Sequence, residues 1–217
     1  MRKFLYHNGL SIVFLLMFVV GLFGQVIFGI SQYNDELLKA GASTVSMSGY
    51  LTSGHFMQST FENLESEFLQ MALFVWLTIF LRQKGSSESK GFDGPEEVDR
   101  KPSPSKIDAP WPVKKGGIWL SLYKDSLTVS LLLLFLLSFV IHFCGSRNDE
   151  NLFRSLRGES VLTFSDYMTD SRFWFESFQN WQSEFLSVFA IVVLSIYLRQ
   201  QGSPQSKPVD APNSETG

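Results

Sequence analysis

The stretch FENLESEFL at residues 61–69 decides the fold, because FQNWQSEFL at residues 178–186 repeats it 117 positions later. The register continues without insertion or deletion, and the letters LRQ recur at residues 81–83 and 198–200. Apolar segments resemble one another by composition alone, so their leucine matches carry little weight. The shared polar letters of this block are not explained by composition. We therefore predict an internal duplication.

The composition is that of a membrane protein. Of the 217 residues, 45% are apolar and 15% aromatic, while only 18% are charged. Soluble domains carry about 25% charged residues. The net charge of −3 provides no basic surface, so we expect no nucleic-acid partner. The single cysteine, Cys144, cannot form an intramolecular disulfide, and the three histidines lack metal-binding spacing. We expect no metal and no cofactor.

Two long apolar runs predict transmembrane helices at about residues 4–30 and 123–145. About 20 apolar residues suffice to cross the hydrocarbon core of a bilayer. The first run follows Lys3, so a secretory signal peptide is the alternative interpretation. The run is longer than a signal-peptide apolar region and lacks a small-residue cleavage site. We therefore predict a retained span.

Two further spans are predicted at about residues 54–82 and 171–199. Each contains a mainly apolar run of only 14 residues, a length also typical of a buried helix in a soluble protein. An aromatic-rich segment precedes each run and extends the helical pattern to about 29 residues, or about 43 Å. The sequence thus predicts an all-α membrane protein with four transmembrane helices, arranged as a tandem parallel repeat of a two-helix unit.

The predicted domain boundaries follow from this register. Residues 1–90 form the first repeat, and residues 122–200 form the second. Residues 91–121 are rich in Ser, Gly, Pro and Lys and predict a disordered cytoplasmic linker, and residues 201–217 predict a disordered tail. Thirteen of the 18 Lys and Arg residues lie on the side of the termini in this topology. By the positive-inside rule, both termini are expected in the cytoplasm.

A polar stripe on the second and fourth helices is the candidate functional site. Residues at offsets 0, 3 and 4 share one helix face. The residues in this pattern are Asn63, Ser66 and Glu67 in one copy and Asn180, Ser183 and Glu184 in the other. Glu67 lies 15 residues before Arg82, about 22 Å along a helix, which places it within the hydrocarbon core. At that depth a carboxylate is expected to face the bundle interior.

Three roles remain open for this stripe. It can join helices by hydrogen bonds, it can bind a proton or cation, or it can form a surface for a membrane partner. No motif for enzyme chemistry is present, so we expect no enzyme. The leading hypothesis is a non-enzymatic structural or interaction bundle. The alternative is a proton- or cation-linked transporter or channel that uses the paired carboxylates. The bilayer is the expected partner, and ion binding, an unknown membrane partner and oligomer formation stay open.

The run NWQSEF at residues 180–185 resembles the motif of a bacterial membrane-protein family whose domain has no known function. The first copy departs from this motif at Leu64 and Glu65. The resemblance implies a four-helix bacterial membrane protein and implies no activity. We expect the protein in the bacterial inner membrane.

Overall fold

The computed structural model describes residues 2–217, with side chains from residue 3 onward. Met1 and the Arg2 side chain, which the predicted first repeat and the charge count include, lie outside the described residues. Apart from one 3-10 turn at Glu97–Asp99, the regular structure of residues 2–217 is α-helical. The helices are α1 (Arg2–His7), α2 (Gly9–Lys39), α3 (Met47–Leu51), α4 (Gly54–Leu77), α5 (Trp111–Lys115), α6 (Gly117–Lys124), α7 (Ser126–Leu156), α8 (Phe164–Met168) and α9 (Ser171–Tyr197).

Helices α2 and α7 are long and apolar enough to cross a membrane. Each has 31 residues, and their most apolar windows have mean hydropathies of 2.6 and 2.5. At 1.5 Å per residue each helix is about 46 Å long, more than the hydrocarbon core requires. None of the α2 window and 22% of the α7 window is buried inside the protein. Length and composition thus point, if weakly, to association with a membrane. Among the described residues, no other helix meets the same criteria.

Helices α4 and α9 begin at Gly54 and Ser171, the positions at which the sequence predicts them to begin. They end at Leu77 and Tyr197, five and two residues before the predicted ends. Residues 78–80 form a turn, in which the Thr78 hydroxyl donates to carbonyls of the last helical turn. The helical parts are about 36 and 40 Å long. Both are longer than their apolar runs because the polar segment before each run is helical.

The helix bounds in the two halves of the chain correspond at an offset of 117 residues. Helix α7 has the bounds of α2 moved by 117 positions, and α8 has those of α3. A glycine with positive φ follows each 31-residue helix, Gly41 at 79° and Gly158 at 74°. Side chains other than glycine rarely adopt this conformation, so each helix ends where the glycine allows the chain to turn.

An asparagine holds each of the loops that follow α2 and α7. The Asn34 carbonyl oxygen accepts from the Val45 N–H at 2.7 Å, and its amide donates to the Val45 carbonyl at 3.2 Å. Asn151 makes the same pair of bonds with Leu162, at 2.7 and 3.1 Å. Each asparagine side chain therefore pairs with the N–H and the carbonyl of one loop residue, which have no backbone partner in an irregular segment.

The chain divides into two compact units. Unit one contains Met1–Phe61 and Val140–Phe173, and unit two contains Glu62–Phe139 and Trp174–Gly217. In unit one, Tyr33, Leu37 and Tyr50 are buried together and form a hydrophobic core. The partly buried residues packed against this core are Ile30, Ala42, Val45, Phe56 and Phe153.

Unit one also contains a close backbone crossing between α4 and α7. A Cβ atom at Gly54 would lie 2.5 Å from the Gly145 carbonyl oxygen and 2.6 Å from the Asp149 nitrogen. A Cβ atom at Gly145 would lie 2.7 Å from the Gln58 nitrogen and 3.0 Å from the Gly54 carbonyl oxygen. Because these neighbours are backbone atoms, no rotamer change can relieve the overlap. Only glycine fits at both positions.

In unit two, the segments after α4 and α9 form similar hydrogen-bonded turns. The Gln83 N–H donates to the Ser89 hydroxyl at 2.9 Å, and the Gln200 N–H donates to the Ser206 hydroxyl at the same distance. Gly85 and Gly202 have positive φ values of 86° and 84° within these turns. Residues 200–207 therefore have the local conformation of residues 83–90.

The C-terminal residues make defined hydrogen bonds within unit two. Lys207 is 3% exposed, and its ammonium group donates to the backbone carbonyls of Pro212, Asn213 and Glu215. The Gly217 N–H donates to the Ser86 carbonyl at 3.2 Å. Residues 201–217, which composition predicts to be disordered, thus form specific hydrogen bonds in the structure.

Candidate polar site

The predicted polar stripe lies in unit two, on α4 and α9, and its residues differ in burial. On α4, Ser66 is buried, whereas Asn63 and Glu67 are exposed. On α9, Asn180 and Glu184 are half-buried, and Ser183 is exposed. The stripe therefore lies at the edge of the buried face of each helix rather than at its centre.

The serines of the stripe donate hydrogen bonds to the backbone of their own helices. The Ser66 hydroxyl donates to the Asn63 carbonyl at 2.8 Å, and the Ser183 hydroxyl donates to the Asn180 carbonyl at 2.8 Å. Such a bond to the preceding turn satisfies the hydroxyl donor and leaves only its lone pairs for another group. Neither serine directs a donor away from its helix.

The two carboxylates of the stripe are close enough to interact electrostatically. Glu67 is among the charged groups that act on Glu184, and both belong to unit two. The two residues are related by the 117-residue register. Glu67 is nevertheless exposed, contrary to the expectation that it faces the interior. Helical periodicity shows which residues share a face, and packing determines where that face points.

The buried carboxylate of α4 is Glu65, which is fully inaccessible to solvent. Glu65 and Ser66 form the buried face of this helix together with Ala72. The position 117 residues later is Gln182, so Glu65 has no acidic counterpart in the second copy. In the sequence, the sign that Glu65 has a role of its own was that only the first copy has an acidic residue at this position.

A second polar cluster, which sequence reasoning missed, lies in unit one around Arg172 at the start of α9. The Arg172 guanidinium group pairs with Asp149 at 2.9 Å and with Glu150 at 2.8 Å, and it donates to the Gln58 amide oxygen at 3.0 Å. These partners lie on α7 and α4. Asp149 is 3% exposed and the Arg172 side chain is 32% exposed, so the carboxylate of this ion pair is desolvated and the guanidinium group reaches solvent. Removing one partner of such a pair leaves a buried charge, which is costly.

The aromatic residues of unit one pack differently in the two halves of the chain. The Tyr33 ring lies 4.8 Å from the His55 ring and 5.8 Å from the Tyr50 ring, measured between centroids. The Tyr50 hydroxyl lies against Gly29, where a Cβ atom would overlap it. Burial raises the pKa of this Tyr50 hydroxyl, so it stays protonated at neutral pH.

The positions equivalent to Tyr50 and Gly29 are Tyr167 and Ser146. Their hydroxyl groups form a buried hydrogen bond of 2.5 Å. The serine thus supplies a polar partner at the position where the first half of the chain has a glycine. Arg147 follows Ser146 on α7, and its guanidinium carbon lies 4.1 Å from the centroid of the Phe164 ring on α8.

The chain belongs to the family described as Domain of unknown function (DUF6766), whose model matches residues 1–217. Comparison with curated proteins and with solved structures found no match.

Proposed function

We propose that this chain is a membrane protein with four spans, built from two tandem parallel copies of a two-helix unit. The spans are α2, α4, α7 and α9. The matching helix bounds and the identical hydrogen bonds of Asn34 and Asn151 support this proposal. The charge distribution supports a topology with both termini in the cytoplasm.

Within this topology, the protein acts as a non-enzymatic structural or interaction bundle of the bacterial inner membrane. The carrying observation is the Arg172 cluster, in which one guanidinium group joins α4, α7 and α9. The serines of the stripe also donate within their own helices. Polar groups are thus used mainly to join helices and to complete helical turns, as expected of a scaffold.

Cysteine labelling tests the topology. In a Cys144→Ser background, single substitutions Ser43→Cys and Ser160→Cys mark the two predicted outer loops, and Ser105→Cys marks the linker. All three serines are exposed. An impermeant thiol reagent added to intact spheroplasts should label the first two and spare the third. Equal labelling of all three, with comparable labelling after lysis, would refute the four-span proposal.

The second candidate function is proton- or cation-linked transport through Glu67 and Glu184. The observation in its favour is their electrostatic interaction within unit two. The negative charge of one carboxylate favours uptake of a proton or a cation at the other, because either removes one negative charge. In a bilayer the exposed position of Glu67 would also require water, an ion or a partner, since a charge facing lipid is costly.

Liposome flux separates the two functions. Purified protein is reconstituted, and proton and alkali-cation fluxes are compared between the parent, Glu67→Gln, Glu184→Gln and the double variant. Glu97→Gln is the matched control, because Glu97 is an exposed acidic residue outside the predicted spans. Flux that depends on both carboxylates would establish transport and reject the passive bundle. Parent flux equal to that of empty liposomes would reject the transport function.

A further inference from the structure

Unit two contains a cavity of about 530 Å³ between the end of α4 and the start of α7. Small-molecule sites commonly have volumes of about 300–1,000 Å³. Most of the lining is aliphatic, from residues such as Leu73, Val129 and Leu132. Its distinctive side chains are Trp76, Asp125 and Thr128. The cavity is therefore apolar, with one carboxylate and one indole ring at its wall.

The carboxylate of Asp125 is the only charged group in this lining. Asp125 immediately precedes α7 and is exposed, and it makes no ion pair with any residue that the structure describes. A carboxylate beside an apolar wall attracts a cation more strongly than one surrounded by water, because the effective dielectric constant is lower. The lining therefore favours a positively charged ligand.

Trp76 adds a second feature that suits a cation. The residue is 47% exposed and lines the cavity, so part of its surface remains available to a ligand there. Indole rings attract organic cations through their negative faces, and quaternary ammonium groups are bound in this way. A carboxylate and an indole ring on an aliphatic wall together match a cation that carries a large apolar body.

Other ligand classes fit the lining less well. A divalent metal ion requires several oxygen ligands, and the lining offers one carboxylate and one hydroxyl. An anion would be repelled by Asp125. An acyl chain would fit the aliphatic wall but would leave the carboxylate without a role.

We propose that this cavity binds a lipophilic monovalent cation, an organic ammonium or phosphonium ion. The charge of the ligand lies beside Asp125, and its apolar body lies against Trp76 and the aliphatic wall. This site is distinct from the Glu67 and Glu184 pair, and its test is independent of both functions proposed above.

Equilibrium dialysis of labelled tetraphenylphosphonium against the purified full-length chain in detergent tests the proposal. Protein-free micelles provide the correction for partitioning. The expected result is saturable binding of one ion per chain, with at least tenfold weaker binding by Asp125→Asn. Asp93→Asn is the matched control, since Asp93 is an exposed acidic residue of the linker that does not line the cavity. Tetraphenylborate, which has the same shape and the opposite charge, should show no saturable binding.

Two further variants keep the test decisive if Asp125→Asn fails to fold. Val129→Phe fills part of the cavity while keeping the carboxylate, and it should weaken binding. Trp76→Leu should do the same, whereas Trp111→Leu, a change outside the cavity lining, should have no effect. Equal saturable binding of both tetraphenyl ions would overturn the proposal and identify a lipid-chain groove. Absence of saturable binding, or parent-like binding by folded Asp125→Asn, would also overturn it.

Discussion

The two loops that join the long helices, residues 40–53 and 157–170, share a backbone conformation but differ in side-chain chemistry. Both have a positive-φ glycine, an asparagine that binds the loop backbone, and a five-residue helix with a hydroxyl N-cap. The first loop packs on a tyrosine and a histidine, whereas the second packs on phenylalanines and also carries arginine–carboxylate pairs. The comparison teaches that the side chains that hydrogen-bond to the backbone are of the same kind in both loops. The side chains that contact other side chains differ between the loops.

The largest expected effect comes from the glycine crossing, which the two halves do not share. Gly145→Ala should lower the free energy of unfolding by about 3 kcal/mol, because its Cβ would meet backbone atoms of α4. Gly54→Ala should act similarly. The measurement is thermal or denaturant unfolding in detergent, followed by circular dichroism.

Gly21→Ala and Gly24→Ala are the controls, since a Cβ at either position meets nothing within 4 Å. These variants should unfold at or slightly above the parent midpoint, because alanine favours helix more than glycine does. A destabilised Gly24→Ala with an unaffected Gly145→Ala would contradict the crossing.

The next effect concerns the shared asparagines. Asn34→Ala and Asn151→Ala each remove two hydrogen bonds to backbone, so each should lower the free energy of unfolding by about 2 kcal/mol. Hydrogen exchange at the Val45 and Leu162 amides should accelerate in the corresponding variant only. Asn148→Ala, at an exposed position, is the control. Clearly unequal losses would show that the two loops depend on this residue to different degrees.

A smaller effect is expected at the position where α2 has Gly29 and α7 has Ser146. Ser146→Ala removes the partner of the buried Tyr167 hydroxyl and should cost about 1–2 kcal/mol. Combining Ser146→Ala with Tyr167→Phe should recover part of this loss, because no hydroxyl is then left without its partner. A double variant less stable than the sum of the single variants would refute this explanation.

The smallest effect is a pH dependence confined to the second loop. Hydrogen bonds from the hydroxyl and the N–H of Thr163 lower the pKa of Asp166. Because the pKa of Asp166 is lower in the folded state, its ionised carboxylate stabilises α8 at pH values above the pKa of an Asp in the unfolded chain, about 3.9. This contribution is lost as pH falls through the lower folded value.

Protection of the α8 amides from exchange, corrected for the intrinsic rate, should therefore decrease between pH 6 and pH 3. Helix α3, with Gly49 at the equivalent position, should show no such change. Asp166→Asn should remove the pH dependence of this protection. A pH dependence caused by the nearby Glu159 would persist in the same variant. A dependence that persists in this variant would assign the effect to another group.

Sequence reasoning located the helix starts better than the helix ends or the buried faces. Gly54 and Ser171 were found because an aromatic-rich segment before each apolar run extends the helical pattern back to these positions. The ends at Leu77 and Tyr197 carry no such mark. For the site, periodicity identified the residues that share a face, but it could not show that Glu67 is exposed and Glu65 is buried.

By itself, the sequence determined the helical class, the family, the two apolar helices and the 117-residue register, because composition and periodicity are properties of the chain. Only the tertiary structure decided which glycines meet backbone, which carboxylate is buried and which arginine joins three helices. These outcomes depend on which residues from distant parts of the chain approach one another. That information is absent from any local pattern, as Gly54 and Gly145 illustrate, since neither is distinguished by its neighbours in sequence.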